Sequence, residues 1–164
     1  MAAKRKALEL AFIALIIATV AFIFIQSALP PKISAKESEA VKDVLEEIIP
    51  PDTEVGETVH KNVRKIAHFV EFALFGAELA LYIYLLRRKT AFIVLSYPAA
   101  LILALFDESI QMFSGRGPSV FDVWIDFSGF VFAASLVYIS AFSFQLLKRK
   151  LALKGKWSKN GKDN

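Results

Sequence analysis

Four apolar runs, each near or above the ~20 residues that carry an α-helix across a hydrocarbon core, constrain this chain more than any other feature. They cover roughly Leu8–Leu29, Ile66–Leu86, Ala91–Phe113 and Val120–Leu147, and the third and fourth carry charge only towards one end. Inside a bilayer every backbone N–H and C=O must be satisfied within its own element, so such runs become helices. The expected fold is all-α, a bundle of four transmembrane helices. Composition agrees. Mean hydropathy is +0.48, and 15 Phe in 164 residues would be hard to bury in a water-facing domain but cost nothing against lipid. There is no cysteine, which excludes disulfides and thiolate metal sites.

Charge sets the expected orientation. Lys4, Arg5 and Lys6 precede the first run, Arg87, Arg88 and Lys89 follow the second, and the tail from Lys148 holds seven more basic residues. Thirteen of the 20 Lys and Arg thus lie on one side, which the positive-inside rule makes the cytoplasm, with both termini there. These residues flank apolar runs instead of forming a groove-sized stripe, so the expected partner is the bilayer of the cell membrane and not nucleic acid. The first run resembles a signal peptide in having basic residues before it. Its apolar core of about 18 residues exceeds the usual 7–15, so it reads as an uncleaved span.

The connector from Pro30 to Lys65 contains one organised element. Ser34 and Glu37 have capping-box spacing, and Val41, Val44, Leu45, Ile48 and Ile49 then mark one helical face. Pro50-Pro51 ends it. The other face is mostly acidic (Glu37, Glu39, Asp43, Glu46, Glu47). The pattern predicts a short amphipathic helix over about 35–49, lying on the outer leaflet or over the bundle. Residues 1–153 then form the membrane domain. Residues 154–164 form a basic cytoplasmic tail, expected to lack fixed structure and able to touch anionic lipid.

Ionisable residues within apolar spans are costly and serve as functional candidates. The second span opens with Arg64, Lys65, His68 and Glu71; the third closes with Asp107, Glu108 and Gln111. A short loop carrying Arg116 leads into Ser119, Asp122 and Asp126. Alternating direction places all three groups at one depth, below the outer interface. Lys65, His68, Glu71, Phe75, Glu78 and Tyr82 share a helical face, as do Ser119, Asp122, Asp126, Gly129 and Ala133. Gly129 and Ala133 form a small-xxx-small pair suited to close packing. An outward-opening polar pocket lined by the second, third and fourth spans is expected. Glu78, about 18 Å deeper than Ile66 at 1.5 Å per residue, is either its floor or a residue needing a partner.

Three chemistries fit these residue types. Arg116 and Lys65, helped by Gln111 and Ser119, could bind phosphate or carboxylate of a lipid-linked cell-wall precursor or related envelope molecule. Alternatively, His68, Glu71, Asp107, Glu108, Asp122 and Asp126 could serve a membrane-embedded hydrolase or transferase. A divalent cation, Mg²⁺, Ca²⁺ or Mn²⁺, would suit the carboxylates, and His68 with Glu108, Asp122 and Asp126 could hold zinc. His68 could equally be a general base with Ser109 or Ser119 as nucleophile. The third possibility is a closed ion-pair network that fixes the helix ends. Asp122 and Asp126 lie near a helix N-terminus, where the dipole favours negative charge. The inner half of each span lacks the polar path of a transporter, Glu78 excepted.

The same residues resemble the VanZ-like family of bacterial membrane proteins. Lys65-Ile66-Ala67-His68-Phe69-Val70-Glu71-Phe72 is similar to its K-x-x-H-F-x-E-[YF] signature, and Asp107-Glu108-Ser109-Ile110-Gln111-Met112-Phe113 to its D-E-x-x-Q-x-F. Gly115-Arg116 followed by Asp122, Asp126 and Gly129 is similar to its G-R-x(5)-D-x-x-x-[DN]-x-x-G. The likeness covers about residues 60–135. Ile110 stands where the family often has His, which speaks against a two-His site, and Glu78 stands where an apolar residue is usual. The resemblance implies a cell-envelope role linked to low-level resistance to the glycopeptide teicoplanin. It supplies no mechanism.

Overall fold

The computed structural model describes residues 2–117 and 119–160, the side chains of 152–160 excepted. It contains six helices: α1 (Ala2–Ala28), α2 (Pro31–Glu46), α3 (Glu54–Lys61), α4 (Val63–Leu85), α5 (Thr90–Phe113) and α6 (Val120–Asn160). No strand occurs among the described residues. Four helices, α1, α4, α5 and α6, are long and apolar enough to cross a membrane. Each coincides with one of the sequence's apolar runs apart from a turn or two at its ends, except that α6 continues 13 residues beyond Leu147. Their large apolar side chains point outward in numbers no water-soluble domain tolerates; Ile17, Ile25, Val94 and Phe142 are all more than half exposed. The chain is a multi-pass membrane protein.

The core is built from small residues and rings. Phe72, Phe75, Ala100, Ala104, Phe130 and Ala134 are buried together with Ile23 of α1. The most extensive packing is between α4 and α6, and two glycines explain it. A Cβ added at Gly76 would lie 2.5 Å from the Phe130 carbonyl oxygen, and one at Gly129 would meet the Phe69 carbonyl. The helix backbones touch at these points, as small residues allow where no water-driven attraction holds helices together. Beside them the Phe75 and Phe130 rings pack with centroids 5.4 Å apart.

Helix α1 docks on α4 and α5. At the end rich in Lys and Arg, the Arg5 guanidinium donates to the Leu86 carbonyl (3.0 Å), and Arg88 pairs with Glu9 and donates to the Tyr82 hydroxyl (2.7 Å).

The connector departs from the sequence reading. Helix α2 starts at Pro31, before the expected position, with no side-chain cap on Pro30. Ser34 lies inside it, and its carbonyl accepts from the Ser38 hydroxyl (2.9 Å). The capping box does not form because proline, with φ fixed near the helical value and no N–H to satisfy, starts the helix a turn earlier. Ile48 and Ile49 fall in the turn after Glu46, both N–H groups reaching the Leu45 carbonyl (3.0 and 2.7 Å). A second short helix, α3, was not anticipated. Thr53 caps it, its hydroxyl accepting from the Gly56 N–H (3.0 Å). At the other terminus α6 continues as helix to Asn160, through the stretch expected to lack fixed structure. Extending a helix already nucleated costs little. Residues 161–164 of that tail lie outside the described residues.

Candidate functional site

Polar side chains converge at the end of the bundle opposite Arg5 and Arg88. Helix α4 supplies His68, α5 supplies Asp107, and α6 supplies Asp126. His68 Nδ1 lies 3.7 Å from Asp107 Oδ2 and 3.6 Å from Asp126 Oδ1. Both carboxylates are fully buried and His68 is 9% exposed. One coordinating atom from each residue fits within a sphere of mutual separations no greater than 4.8 Å. Position along each helix explains the convergence. His68 is one turn from the core residue Phe72, and Asp126 one turn from Phe130, so the α4–α6 crossing that buries the rings also aims the polar pair inward.

Asp107 is firmly held. It accepts from the Ser27 hydroxyl of α1 and from Gln111 Nε2 (2.7 Å), and Gln111 Oε1 in turn accepts from the Arg64 guanidinium (2.6 Å). Asp126 has no such support: among the described residues, neither carboxylate oxygen, nor His68 Nδ1, has a hydrogen-bond partner. At 3.6 and 3.7 Å the imidazole is beyond the ~2.7–3.2 Å of an N–H···O bond to either acid.

The remaining sequence candidates sit around this cluster in different roles. Glu108 accepts from the Ser119 N–H, and the Ser119 hydroxyl accepts from the Asp122 N–H (3.3 Å), fastening the α5–α6 turn. Ser109 is exposed and donates to the Leu105 carbonyl (2.7 Å). Lys65 is exposed, with its ammonium 5.1 Å from the centroid of the Phe121 ring. Arg116 donates to two carbonyls at the C-terminus of α1, Gln26 (3.3 Å) and Leu29 (3.0 Å). Ser114 adds a bond to the Ser27 carbonyl (3.1 Å).

A cavity of about 100 Å³ opens beneath α2, lined among others by Gln26, Glu37, Arg64, His68, Glu71 and Arg116. It is roomy enough for several waters or for a small charged group such as a phosphate. Burial first, and then the Arg64 guanidinium, lower Arg116 from its ordinary value. Two guanidiniums, those of Arg64 and Arg116, therefore share this space with the carboxyls of Glu37 and Glu71.

Helix α1 was missing from the sequence-based pocket, yet it supplies Ser27 and the partner that Glu78 needed. The Thr19 hydroxyl donates to Glu78 Oε1 (3.0 Å) with both groups buried. Thr19, Ile23 and Ser27, the buried residues of α1, recur every fourth position, so isolated hydroxyls at that spacing in an apolar span were the available signal. Thr19→Val should lower thermal stability by about 1–2 kcal/mol by leaving Glu78 without a donor. Adding Glu78→Leu should restore the loss. Thermal unfolding of both variants in detergent checks the pair; a double variant no more stable than the single one would mean the bond is not the cause.

No curated protein and no solved structure matched the chain. The family model described as VanZ/LLP1 matches residues 12–142, which include every residue of the polar end, all of α4 and α5 and much of α1 and α6, and the chain belongs to that family.

Proposed function

We propose that the polar end faces the extracytoplasmic side, with both termini in the cytoplasm of a cell-membrane protein. The cavity beneath α2 there binds the phosphate group of a lipid-linked cell-wall precursor or related envelope lipid. One observation carries this reading: Arg64 and Arg116, drawn from two separate segments, line one small cavity beside His68 and Glu71. Guanidinium groups suit phosphate geometry, and a cavity of this size has room for a phosphate. Orientation rests on the Lys and Arg excess at the opposite end. Helix α2, whose Val41 and Val44 are exposed, would lie at the membrane surface as a cover over the mouth. The link of VanZ-like proteins to teicoplanin resistance is consistent with a wall precursor as the ligand.

A hydrolase or transferase reading shares this cavity, and the His68–Asp107–Asp126 cluster favours it as a second possibility. A purely structural network is favoured by the bonds of Arg116 and Glu108, which tie segments together.

The absence of native cysteine allows one experiment to test side and ligand together. A Val41→Cys chain is treated in intact cells with a membrane-impermeant maleimide–benzophenone and then illuminated. The expected result is labelling without permeabilisation and capture of a phosphate-bearing lipid, enriched over a Phe142→Cys control labelled after permeabilisation. Labelling only in broken cells, or identical lipids at both positions, refutes the reading.

A further inference from the structure

The three residues at the centre of the polar end suggest a ligand that the phosphate reading does not require. We infer that His68, Asp107 and Asp126 form a divalent-metal site, with Zn²⁺ as the occupant that fits best.

The donor set is one imidazole nitrogen and two carboxylates from three helices, all within 4.8 Å of one another. Separations of 3.6 and 3.7 Å admit either a tetrahedral ion or a larger cation such as Ca²⁺. The donor type chooses between them: an imidazole beside two carboxylates favours zinc over magnesium or calcium.

An acidic cluster alone would not suffice, but Asp126 points independently to a ligand. It is fully buried, both its oxygens lack a hydrogen-bond partner among the described residues, and one of them faces His68 Nδ1, likewise without one. A fully buried polar side chain without a partner calls for one, and a metal ion takes an acid oxygen and an imidazole nitrogen at once. A supporting layer is also present: Ser27 and Gln111 hold Asp107, and Arg64 holds Gln111. Orienting groups of that type are a regular feature of metal ligands. Three protein ligands leave a fourth position open, as in zinc sites that bind a water or an external oxygen.

Full-length protein, purified in detergent and stripped with EDTA, is dialysed against ZnCl₂ and analysed for metal; its thermal midpoint is then followed against ZnCl₂ and MnCl₂. The expected result is one Zn²⁺ per chain and a midpoint rising with ZnCl₂, less so with MnCl₂. Asp126→Asn and His68→Gln should each weaken zinc binding at least about ten-fold, and Gln111→Ala about 10–100-fold. His60→Gln, which removes the other histidine of the chain, and Glu78→Gln, which alters a buried carboxylate elsewhere, should leave it unchanged. Metal-free Asp126→Asn should melt at or above metal-free wild type, because a neutral amide replaces a carboxylate with no donor. A wild type that retains no zinc and shows no midpoint rise overturns the site. So does zinc binding that survives both Asp126→Asn and His68→Gln. If the variants fail to fold, the wild-type stoichiometry and midpoint decide. No lipid enters the experiment, so its outcome and that of lipid capture are independent.

Discussion

A chain carrying Gly129→Leu is expected to lose the α4–α6 crossing and run as aggregate in size-exclusion chromatography. Ser128→Leu, one residue earlier on an exposed face, should run and melt like wild type. The difference follows from what each side chain meets. An added methylene costs about 1–3 kcal/mol where neighbouring side chains can move. At Gly129 the obstacles are the Phe69 carbonyl and the Ala73 nitrogen, backbone atoms of α4 that no rotamer change can clear. Leucine brings four carbons to that point, so the two helices must separate along their shared length. Separation would also part His68 from Asp126, so the polar end should be lost with the fold. Gly129→Ala, whose single Cβ already collides, should give folded protein with a clearly lowered midpoint. A monodisperse Gly129→Leu protein melting at the wild-type temperature would refute the close crossing.

The spanning helices were legible in the sequence because the bilayer permits so few solutions. An apolar run of the right length must be a helix whatever its neighbours do. Close packing at Gly129 was legible for a similar reason, since small residues are what let spanning helices approach. The connector was harder to read, because in water several local signals compete. Ser34 and Glu37 have capping-box spacing, but Pro31 starts the helix first, and α3 is too short to impose a periodic pattern. The contribution of α1 was hidden for another reason. Its buried hydroxyls, Thr19 and Ser27, carry no charge and look unremarkable beside His68 or Asp126. Each matters only through an acid about 60 to 80 positions away, Glu78 or Asp107. Such pairings depend on which face of α1 turns inward, and the mean hydropathy of a span does not contain that information.

Arg116 shows the same gap between residue type and role, and its removal should have the second large effect. Residue chemistry made it a ligand for phosphate, whereas in the structure its guanidinium also donates to the Gln26 and Leu29 carbonyls. Carbonyls at a helix C-terminus lack intrahelical donors, and the dipole there attracts a cation. Arg116→Ala should therefore lower stability by roughly 2–4 kcal/mol, from two charge-assisted bonds lost and the Leu29 carbonyl left unsatisfied, the Gln26 carbonyl keeping the Leu29 N–H. Arg116→Lys, which cannot reproduce the fork of the guanidinium, should lose about half as much. The damage should also reach Asp107, because Ser27 lies on the turn of α1 that Arg116 clamps and its hydroxyl bonds that carboxylate. Thermal midpoints of both variants, with limited proteolysis at the α1–α2 junction, measure the effect. Faster cleavage near Pro30 in Arg116→Ala is the expected signature of a loosened α1. An alanine variant with wild-type midpoint and cleavage rate would show that the bonds to α1 hold nothing, and would leave the cavity as the place where this guanidinium acts.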